Sequence, residues 1–477
     1  MSTSIKNKSL FIAVVGIFIL NILIFSGCSD QGYRHYVKVA GDVNNVLFFN
    51  SFNDQNSIAL EEIINKADPF NDKYSILLVG SDGLTAEIDN RMDKITLNFS
   101  KINGWEIIDE NHPISARIKH LKEIIIVSKE DITENSVIIF NSEKNLISMT
   151  PGQLYQKSLE RRLIFQGHSS IIRDDGEYAV TVYTTALTYS LDELEGSRYL
   201  IISESGKTKY TDKPGYLVYR DNSIDYLDPE MKNEIVGIKG ILIDPPKTSI
   251  SNAYYDALHY IENGEKVMVI FLDGFSYIQY KYAIENNIAP YLNQLPAAQK
   301  ATTYFKPVTN VGFATMITGK GPDDNGIHDR SCRKLNSSIF TVLKEKGFSS
   351  KLVEANVSIL DHGADEMLNI DKNGNGSIDD EVFYSAMKEI EKEYDYILVH
   401  FHEIDDMGHQ FGPFGKETLE QIKTKDGYVK ELVNNFDGRI IILADHGMHE
   451  TEDGGTHCQT RCEDFIVPYI TVAGGKK

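Results

Sequence analysis

The sequence contains little cysteine and no excess of positive charge, and each of these two features excludes a class of protein. It also contains no internal repeat. Only 4 of its 477 residues are cysteine, too few for a fold built on disulfide bonds. Lys and Arg number 48 against 69 Asp and Glu, a formal net charge of −21. We therefore expect neither nucleic-acid binding through a basic surface nor a polybasic membrane-binding surface. The length is enough for two or three globular domains.

The N-terminal residues 1–27 have the pattern of an export signal. Two lysines precede a long apolar run that ends at Phe25, and the small pair Ser26-Gly27 then precedes Cys28. This order resembles the lipobox of bacterial lipoproteins, which implies that Cys28 is lipidated and begins the mature chain. An uncleaved signal anchor is the alternative. Both hypotheses predict an extracytoplasmic protein, which in the first case is anchored to the cell membrane by its N-terminal lipid.

Two sequence patterns divide the rest of the chain near residue 250. Residues 28–250 contain short β-branched runs separated by Gly, Asp and Asn turns, which predicts a β-rich domain of unknown role. Residues 251–477 alternate continuous apolar runs with helical stretches. This alternation predicts an α/β domain with a mainly parallel sheet and helices on both faces. The Pro245-Pro246 pair marks a plausible boundary between the two domains.

Polar residues in the second domain directly follow predicted strands or begin predicted helices. Ligands bind at the carboxyl ends of the strands in open α/β sheets, so we expect these side chains to meet in one crevice. Asp and His together suit zinc or manganese, and there are enough of them for two ions. The candidate residues are Asp273, Thr309, Asn310, Asp405, His409, Asp445, His446 and His457.

Several motifs together resemble the alkaline phosphatase superfamily, and most closely its type I phosphodiesterase/nucleotide pyrophosphatase branch, over about residues 265–475. They are Leu-Asp-Gly after a strand, Asp-x-x-Gly-His-x-x-Gly-Pro, Asp-His-Gly-Met and Gly-Gly-x-His. The resemblance implies an alkaline-phosphatase-like sheet and two divalent metal ions, zinc in the first place with manganese as the alternative. It implies one metal site at Asp273, Thr309, Asp445 and His446, and a second at Asp405, His409 and His457.

The resemblance also implies hydrolysis of a phosphate ester, either a phosphodiester or a nucleotide pyrophosphate. Thr309 occupies the nucleophile position and would form a covalent phospho-threonine intermediate. This branch usually has Asn three residues after the nucleophile, where this chain has Gly312; we expect Asn310 to replace it. The alternatives are a phosphomonoesterase, a phosphonate hydrolase, a transferase of a phospho-head-group, and a surface-binding lipoprotein without enzymatic activity.

The segment Asp371–Asp379 fits the first nine positions of an EF-hand-like calcium loop. Asp371, Asn373 and Asn375 are the candidate calcium ligands, but Val382 occupies the twelfth position, where an acidic residue is expected. The alternative is a turn before a helix whose dipole favours the acidic residues at its start.

Two other groups of residues allow two interpretations each. His400 and His402 either orient metal ligands or pack as hydrogen-bonded core residues. Cys332 either forms a disulfide with Cys458 or Cys462, or all three thiols stay free.

Overall fold

The structure, a computed structural model, describes residues 36–50, 57–130, 135–158 and 160–475. The predicted export signal and the lipidation site Cys28 lie outside the described residues. Within them, no helix combines the length and apolar character needed to cross a membrane. The chain forms two compact units: the first contains Val46–Asp68 and Ile76–Ile124, and the second contains Ala40–Asn45, Pro69–Ser75 and all residues from Ile125 onward. The domain boundary near residue 250 stays a prediction.

The first unit is built mainly of β-strands. Its one α-helix among the described residues buries Leu60, Ile63, Ile64 and Ala67, the spacing of an amphipathic helix. The strands form a five-stranded sheet of order β2-β1-β8-β4-β5 and a three-stranded sheet of order β3-β6-β7. The elements that lie wholly or partly in this unit are β1 (Tyr36–Gly41), β2 (Leu47–Asn50), β3 (Ser57–Ala59), α1 (Leu60–Ala67), β4 (Tyr74–Gly80), β5 (Thr85–Asp89), β6 (Thr96–Ser100), β7 (Gly104–Ile108) and β8 (Leu121–Ser128).

The second unit begins with a further β-rich region. It contains two five-stranded sheets, of order β10-β9-β18-β13-β14 and β11-β12-β15-β16-β17. Its helix begins at a capping box formed by Thr150 and Gln153. The elements are β9 (Val137–Phe140), β10 (Asn145–Met149), α2 (Pro151–Lys157), β11 (Glu160–Arg173), β12 (Gly176–Ser190), β13 (Tyr199–Ser203), β14 (Thr208–Thr211), β15 (Tyr216–Arg220), β16 (Ser223–Leu227), β17 (Glu234–Ile235) and β18 (Ile238–Ile243).

The α/β region of the second unit follows. Its elements are β19 (Thr248–Ser249), α3 (Asn252–Glu262), β20 (Val267–Leu272), α4 (Tyr277–Glu285), β21 (Gln299–Thr302), α5 (Thr309–Thr318), α6 (Pro322–Asn325), α7 (Ile339–Glu345), β22 (Ser350–Glu354), β23 (Glu366–Leu368), α8 (Asp379–Ile390), β24 (Tyr396–Phe401), α9 (Glu403–Phe411), α10 (Lys416–Asn435), β25 (Arg439–Leu443), β26 (His449–Thr451), β27 (Gly454–Thr456), α11 (Cys462–Phe465) and β28 (Ile466–Ala473). Two short 3₁₀ turns complete the described helical segments, at Ile114–Ala116 and Leu292–Gln294.

One eight-stranded sheet organises this region, in the order β19-β21-β28-β25-β20-β24-β22-β23. The central strand β20 runs parallel to β24 and to β25, and only β28 pairs antiparallel with its neighbours. All six residues of β20 are buried, as expected of a parallel strand covered on both faces. The predicted α/β fold with a mainly parallel sheet, preceded by a β-rich region, is confirmed.

An apolar core joins the β-rich and α/β regions of the second unit. Phe140 of β9 packs edge-on against Phe465 of α11, with ring centroids 5.8 Å apart. The other buried members of this cluster are Ile138, Leu200, Ile202, Leu242, Phe305, Cys462 and Ile466. The segment that contains Phe305 leads directly to the start of α5, so this core supports the segment before Thr309.

Candidate active site

The three central parallel strands end at the same edge of the sheet, and the site residues follow them there. Asp273 comes directly after β20, and its backbone N–H donates to the carbonyl of Phe401 at the end of β24 (3.0 Å). Asp405 lies in the first turn of α9, which follows β24. Asp445 and His446 follow β25. The parallel register therefore brings together carboxylates that are more than a hundred residues apart in sequence.

The four residues predicted for the first metal site lie around one point. The Nε2 atom of His446 is 3.2 Å from Asp445 Oδ2 and 3.5 Å from Asp273 Oδ1. Thr309, the first residue of α5, places its Oγ1 atom 3.5 Å from the same nitrogen. Asp273, Asp445 and His446 could together hold a metal ion.

The three residues predicted for the second site adjoin the first set. Asp405 and His409 are one turn apart on α9, with Oδ2 and Nε2 separated by 3.3 Å. His457, which follows β27, has its Nε2 atom 4.0 Å from Asp405 Oδ1. Its ring stacks on that of His446 with centroids 4.0 Å apart. The described residues thus bring all seven predicted ligands into one crevice.

The three histidines of this cluster are oriented in the same way. The Nδ1 atom of His409 lies 3.1 Å from the carbonyl of Gly455, that of His446 lies 3.0 Å from the carbonyl of Gly447, and that of His457 lies 2.7 Å from the carbonyl of Pro307. A carbonyl can only accept, so each Nδ1 carries a proton and each Nε2 is the nitrogen left for a metal ion. Metal-binding histidines are held in this way by their outer nitrogen.

Each of the three carboxylates of the cluster has one oxygen without a hydrogen bond. Asp273 Oδ1, Asp405 Oδ1 and Asp445 Oδ2 are buried and accept no hydrogen bond, which is uncommon for buried polar atoms. Burial and the nearby charge of Asp273 raise the pKa of Asp445. Burial lowers the pKa of His446, but the carboxylates around it outweigh this effect and raise the pKa above its usual value. The donor set and its negative charge fit divalent cations.

Two glycines allow this close packing. A Cβ atom on Gly274, whose φ is +70°, would lie 2.6 Å from Asp405 Oδ1, so a side chain here would push Asp273 and Asp405 apart. A Cβ atom on Gly312 would lie 2.5 Å from the Cβ of Asp445. The backbone of α5 packs directly on Asp445, which explains why this position carries glycine and not the Asn that the resemblance implies. Asn310 is buried and donates from Nδ2 to the carbonyl of Cys332 (3.2 Å).

His400 and His402 both contact Asp273, so the interpretation that they orient a predicted metal ligand agrees with the geometry. His400 Nε2 lies 3.2 Å and His402 Nδ1 3.6 Å from Asp273 Oδ2. Their other nitrogens meet the two oxygens of Glu354, at 2.8 Å and 2.5 Å. Burial lowers the pKa of His402, but Glu354 and Asp273 reverse this effect and raise it well above its usual value.

Sequence reasoning missed Glu354, although one signal pointed to it. Glu354 is the last residue of β22, so it lies at the same carboxyl edge of the sheet as the predicted ligands. It is fully buried. A buried acid at that edge is a candidate site residue even without a motif.

Arg330 and the cysteines complete the surroundings. The Nη2 atom of Arg330 lies 2.9 Å from His457 Nε2 and brings a positive charge to the crevice. Cys332, Cys458 and Cys462 are free thiols, so the described residues contain neither of the predicted disulfide pairings.

A pocket of about 400 Å³ opens beside His457. The β-rich region contributes Asn135, Ser136, Glu204 and Lys239 to its lining, and the α/β region contributes Lys306. Most of this lining is polar. Lys239 pairs with Glu204 at 3.7 Å.

A family model matches the stretch of the chain that contains the seven predicted ligands. Residues 267–467 match the model of the family described as type I phosphodiesterase / nucleotide pyrophosphatase. This match confirms the resemblance identified from the sequence motifs. Over 85 residues the chain is 30% identical to GPI ethanolamine phosphate transferase 3 of Eremothecium gossypii, covering 17% of this chain and 8% of that protein. The chain therefore spans less than a tenth of the length of this relative.

Two solved structures illustrate the structural matches. Phosphonoacetate hydrolase from Sinorhizobium meliloti 1021 matches with a TM-score of 0.32 and 17% identity, over 39% of this chain and 56% of that chain. Murine ectonucleotide pyrophosphatase / phosphodiesterase 5 matches with a TM-score of 0.33 and 16% identity, over 39% of this chain and 58% of that chain.

Proposed function

We propose that residues 267–467, which match the family model for type I phosphodiesterase / nucleotide pyrophosphatase, hydrolyse phosphate esters at a two-metal centre. The natural ester in this proposal is a phosphodiester or a nucleotide pyrophosphate. One observation carries the proposal: three histidines, each held through Nδ1 by a backbone carbonyl, lie among three carboxylates, and each carboxylate has one buried oxygen that accepts no hydrogen bond. Such a donor set suits zinc, with manganese as the alternative.

The ligands divide as the sequence motifs imply. Asp273, Asp445 and His446 with the Thr309 hydroxyl would hold one cation, and Asp405, His409 and His457 the other. Two cations in such a site lower the pKa of a bound hydroxyl and stabilise the charge of the transferring phosphoryl group. His446 lies where the two sets meet, because it can share an ion with Asp273 and Asp445 or with Asp405 and His457.

Thr309 is the proposed nucleophile. Its Oγ1 atom attacks the phosphorus, the bond from phosphorus to the leaving oxygen breaks, and the phosphoryl group is then on Thr309. Thr309 begins a ten-residue helix, whose first backbone N–H groups favour a phosphoryl group at that end. Attack by water on the phospho-threonine releases phosphate or a phosphomonoester and restores the hydroxyl. The side-chain amide of Asn310 has two N–H hydrogens, and one of them donates to the carbonyl of Cys332. The second hydrogen is the proposed donor to a phosphoryl oxygen.

The pocket beside His457 is the proposed site of the leaving group. Its charged and amide side chains suit a polar group better than an acyl chain. The β-rich region contributes four of the eleven lining residues, which gives that region a role in substrate selection.

A phospho-head-group transferase is the second candidate function. The observation that favours it is the 30% identity with an ethanolamine phosphate transferase over 85 residues. A transferase would pass the phosphoryl group from Thr309 to an alcohol instead of to water. The two functions differ in the acceptor and share the same centre.

The proposed location is extracytoplasmic, with the chain anchored to the cell membrane through lipid on Cys28. The support is the order of charged, apolar and small residues before Cys28. Metabolic labelling with a fatty acid should modify the wild-type chain and leave a Cys28→Ser variant unlabelled.

The test of the function is an assay of the whole chain on three substrates after exhaustive chelation. We expect no turnover of p-nitrophenyl phosphate, bis-p-nitrophenyl phosphate or a phosphonate ester until Zn²⁺ or Mn²⁺ is added, and then fastest turnover of the diester. Added ethanolamine or glycerol distinguishes the transferase, because it would yield a new phosphodiester product. Full activity in a verified metal-free sample would contradict the proposal.

A further inference from the structure

The segment between β23 and α8 has the spacing of an EF-hand calcium loop. Asp371, Asn373 and Asn375 occupy the first, third and fifth positions. Gly376 occupies the sixth position with φ of +85°, where the sharp turn of this loop requires glycine. We refer to residues 371–381 as the acidic loop.

The polar side chains of the acidic loop converge. Asp380 Oδ2 accepts from the amide of Asn373 at 2.8 Å and from that of Asn375 at 2.9 Å. The amide oxygens face the loop backbone: Asn373 Oδ1 accepts from the N–H of Asn375 at 3.0 Å, and Asn375 Oδ1 accepts from the N–H of Ser377 at 2.7 Å. Each of these oxygens has a second lone pair that a cation can use. Asp371 holds the turn by accepting from the backbone N–H groups of Gly374 and Gly376.

A separate observation concerns Glu381, the last residue of the acidic loop, which lies in the first turn of α8 and is buried. This residue is only 8% exposed. Its Oε1 atom accepts from the backbone N–H groups of Lys372 (3.0 Å) and Asn373 (3.3 Å), so the carboxylate is directed into the loop. Its Oε2 atom is buried and has no hydrogen-bond partner. A buried carboxylate oxygen without a partner is costly unless a cation binds it.

No positive side chain satisfies this group of carboxylates. Asp371, Asp380 and Glu381 take part in no ion pair with a lysine, arginine or histidine of the described residues. Asp379, at the ninth position, faces elsewhere: it pairs with Lys425 at 2.9 Å and is therefore not a ligand.

We propose that the acidic loop binds one calcium ion through Asp371, Asn373, Asn375 and Glu381. Glu381 replaces the acid of the twelfth position, where Val382 is fully buried in the apolar core. The donors are oxygens only, which excludes a preference for zinc. A flexible loop of carboxylates and amides suits calcium better than magnesium, which demands a near-ideal octahedron.

Calcium at this loop would stabilise the link between α8 and the metal centre. Asp379 is the first residue of α8, and its carboxylate accepts from the backbone N–H groups of His402 and Glu403. His402 and Glu403 lie three and two residues before Asp405, at the start of α9. Fixing the start of α8 therefore also fixes the turn that leads to Asp405.

The test uses the whole chain with its metal centre already saturated with zinc, so that added Ca²⁺ cannot bind there. Isothermal titration should show one Ca²⁺ per chain with a Kd of about 10⁻⁴–10⁻³ M, as in extracellular calcium modules. The melting temperature should rise with Ca²⁺. Asp371→Asn, Glu381→Gln and the exposed Asn373→Ala should each weaken binding at least tenfold. The control Glu391→Gln, at the exposed end of α8, should bind as the wild type does.

Three results would overturn the proposal. The first is that neither binding nor a change in melting temperature occurs up to about 10 mM Ca²⁺. The second is that folded Asn373→Ala and Glu381→Gln variants bind Ca²⁺ with the affinity of the wild type. The third is that the wild type binds Mg²⁺ as tightly as Ca²⁺. Circular dichroism of each variant establishes that it is folded before titration.

Discussion

Glu354 contacts both histidines that touch Asp273, and it illustrates how single side chains shape this centre. Its partner His400 lies 46 residues away in sequence. The seven predicted ligands could be found from the sequence because their motifs have fixed spacing and follow apolar strands. Glu354 has no such motif, because the residues around this acid at the end of β22 follow no recognisable pattern. Its role arises only when β22 lies beside β24.

Replacing Glu354 should weaken metal binding without changing a ligand. In Glu354→Gln the histidines lose their charged partner, so Asp273 is held less firmly and metal affinity should fall about 10- to 100-fold. Competition with a chromophoric chelator measures this affinity directly. The matched control is Glu366→Gln, which removes an acid that pairs with His362 at 3.0 Å and begins the neighbouring strand β23. Unchanged affinity in folded Glu354→Gln would show that the pair of histidines does not depend on Glu354.

Helix α5 lies so close to the loop after β25 that the helix backbone at Gly312 contacts Asp445. The sequence predicted the strands and helices of this region because their periodicities are long and regular. It did not predict the sheets of the β-rich region, since several short apolar runs can pair in many orders. It also gave no reason for glycine at position 312, because the contact with Asp445 joins elements 133 residues apart.

Gly312→Ala should therefore destabilise the protein and disturb the metal centre. The added methyl group meets Asp445 at 2.5 Å, and such overpacking costs about 1–3 kcal/mol of unfolding free energy. Metal content should fall because Asp445 must move. Gly427→Ala is the matched control: it lies exposed within helix α10 with no atom within 4 Å of the new Cβ, and it should stabilise by about 0.5–1 kcal/mol. Urea denaturation measures both; equal effects would contradict the packing described.

At the scale of the whole molecule, the β-rich and α/β regions of the second unit share an apolar core. The change of sequence pattern near residue 250 marks a change of architecture. This change of pattern does not predict that Phe140 packs on Phe465, because that contact depends on how β9 and α11 are placed in the folded chain. Folding of these two regions should therefore be cooperative.

Phe140→Ala should test this coupling. Removing the ring leaves a cavity against Phe465 and should cost about 3–5 kcal/mol of unfolding free energy. Loss of hydrolase activity and loss of circular dichroism should still occur at the same urea concentration, because the two regions unfold together. Phe165→Ala, which removes an equal ring that is 45% exposed on β11, should change stability by less than about 0.5 kcal/mol. Separate midpoints for activity and circular dichroism in the wild type would contradict a shared core.

The central claim is that Thr309 carries the phosphoryl group at a two-metal centre. The most direct measurement is mass spectrometry of peptides from zinc-loaded chain that has been mixed with bis-p-nitrophenyl phosphate and quenched in acid. We predict a phosphoryl ester on Thr309 in the wild type and in Thr309→Ser, and none in Thr309→Ala, which should keep its zinc while kcat falls by several orders of magnitude. An adduct on another residue, or turnover close to wild type in Thr309→Ala, would contradict the account.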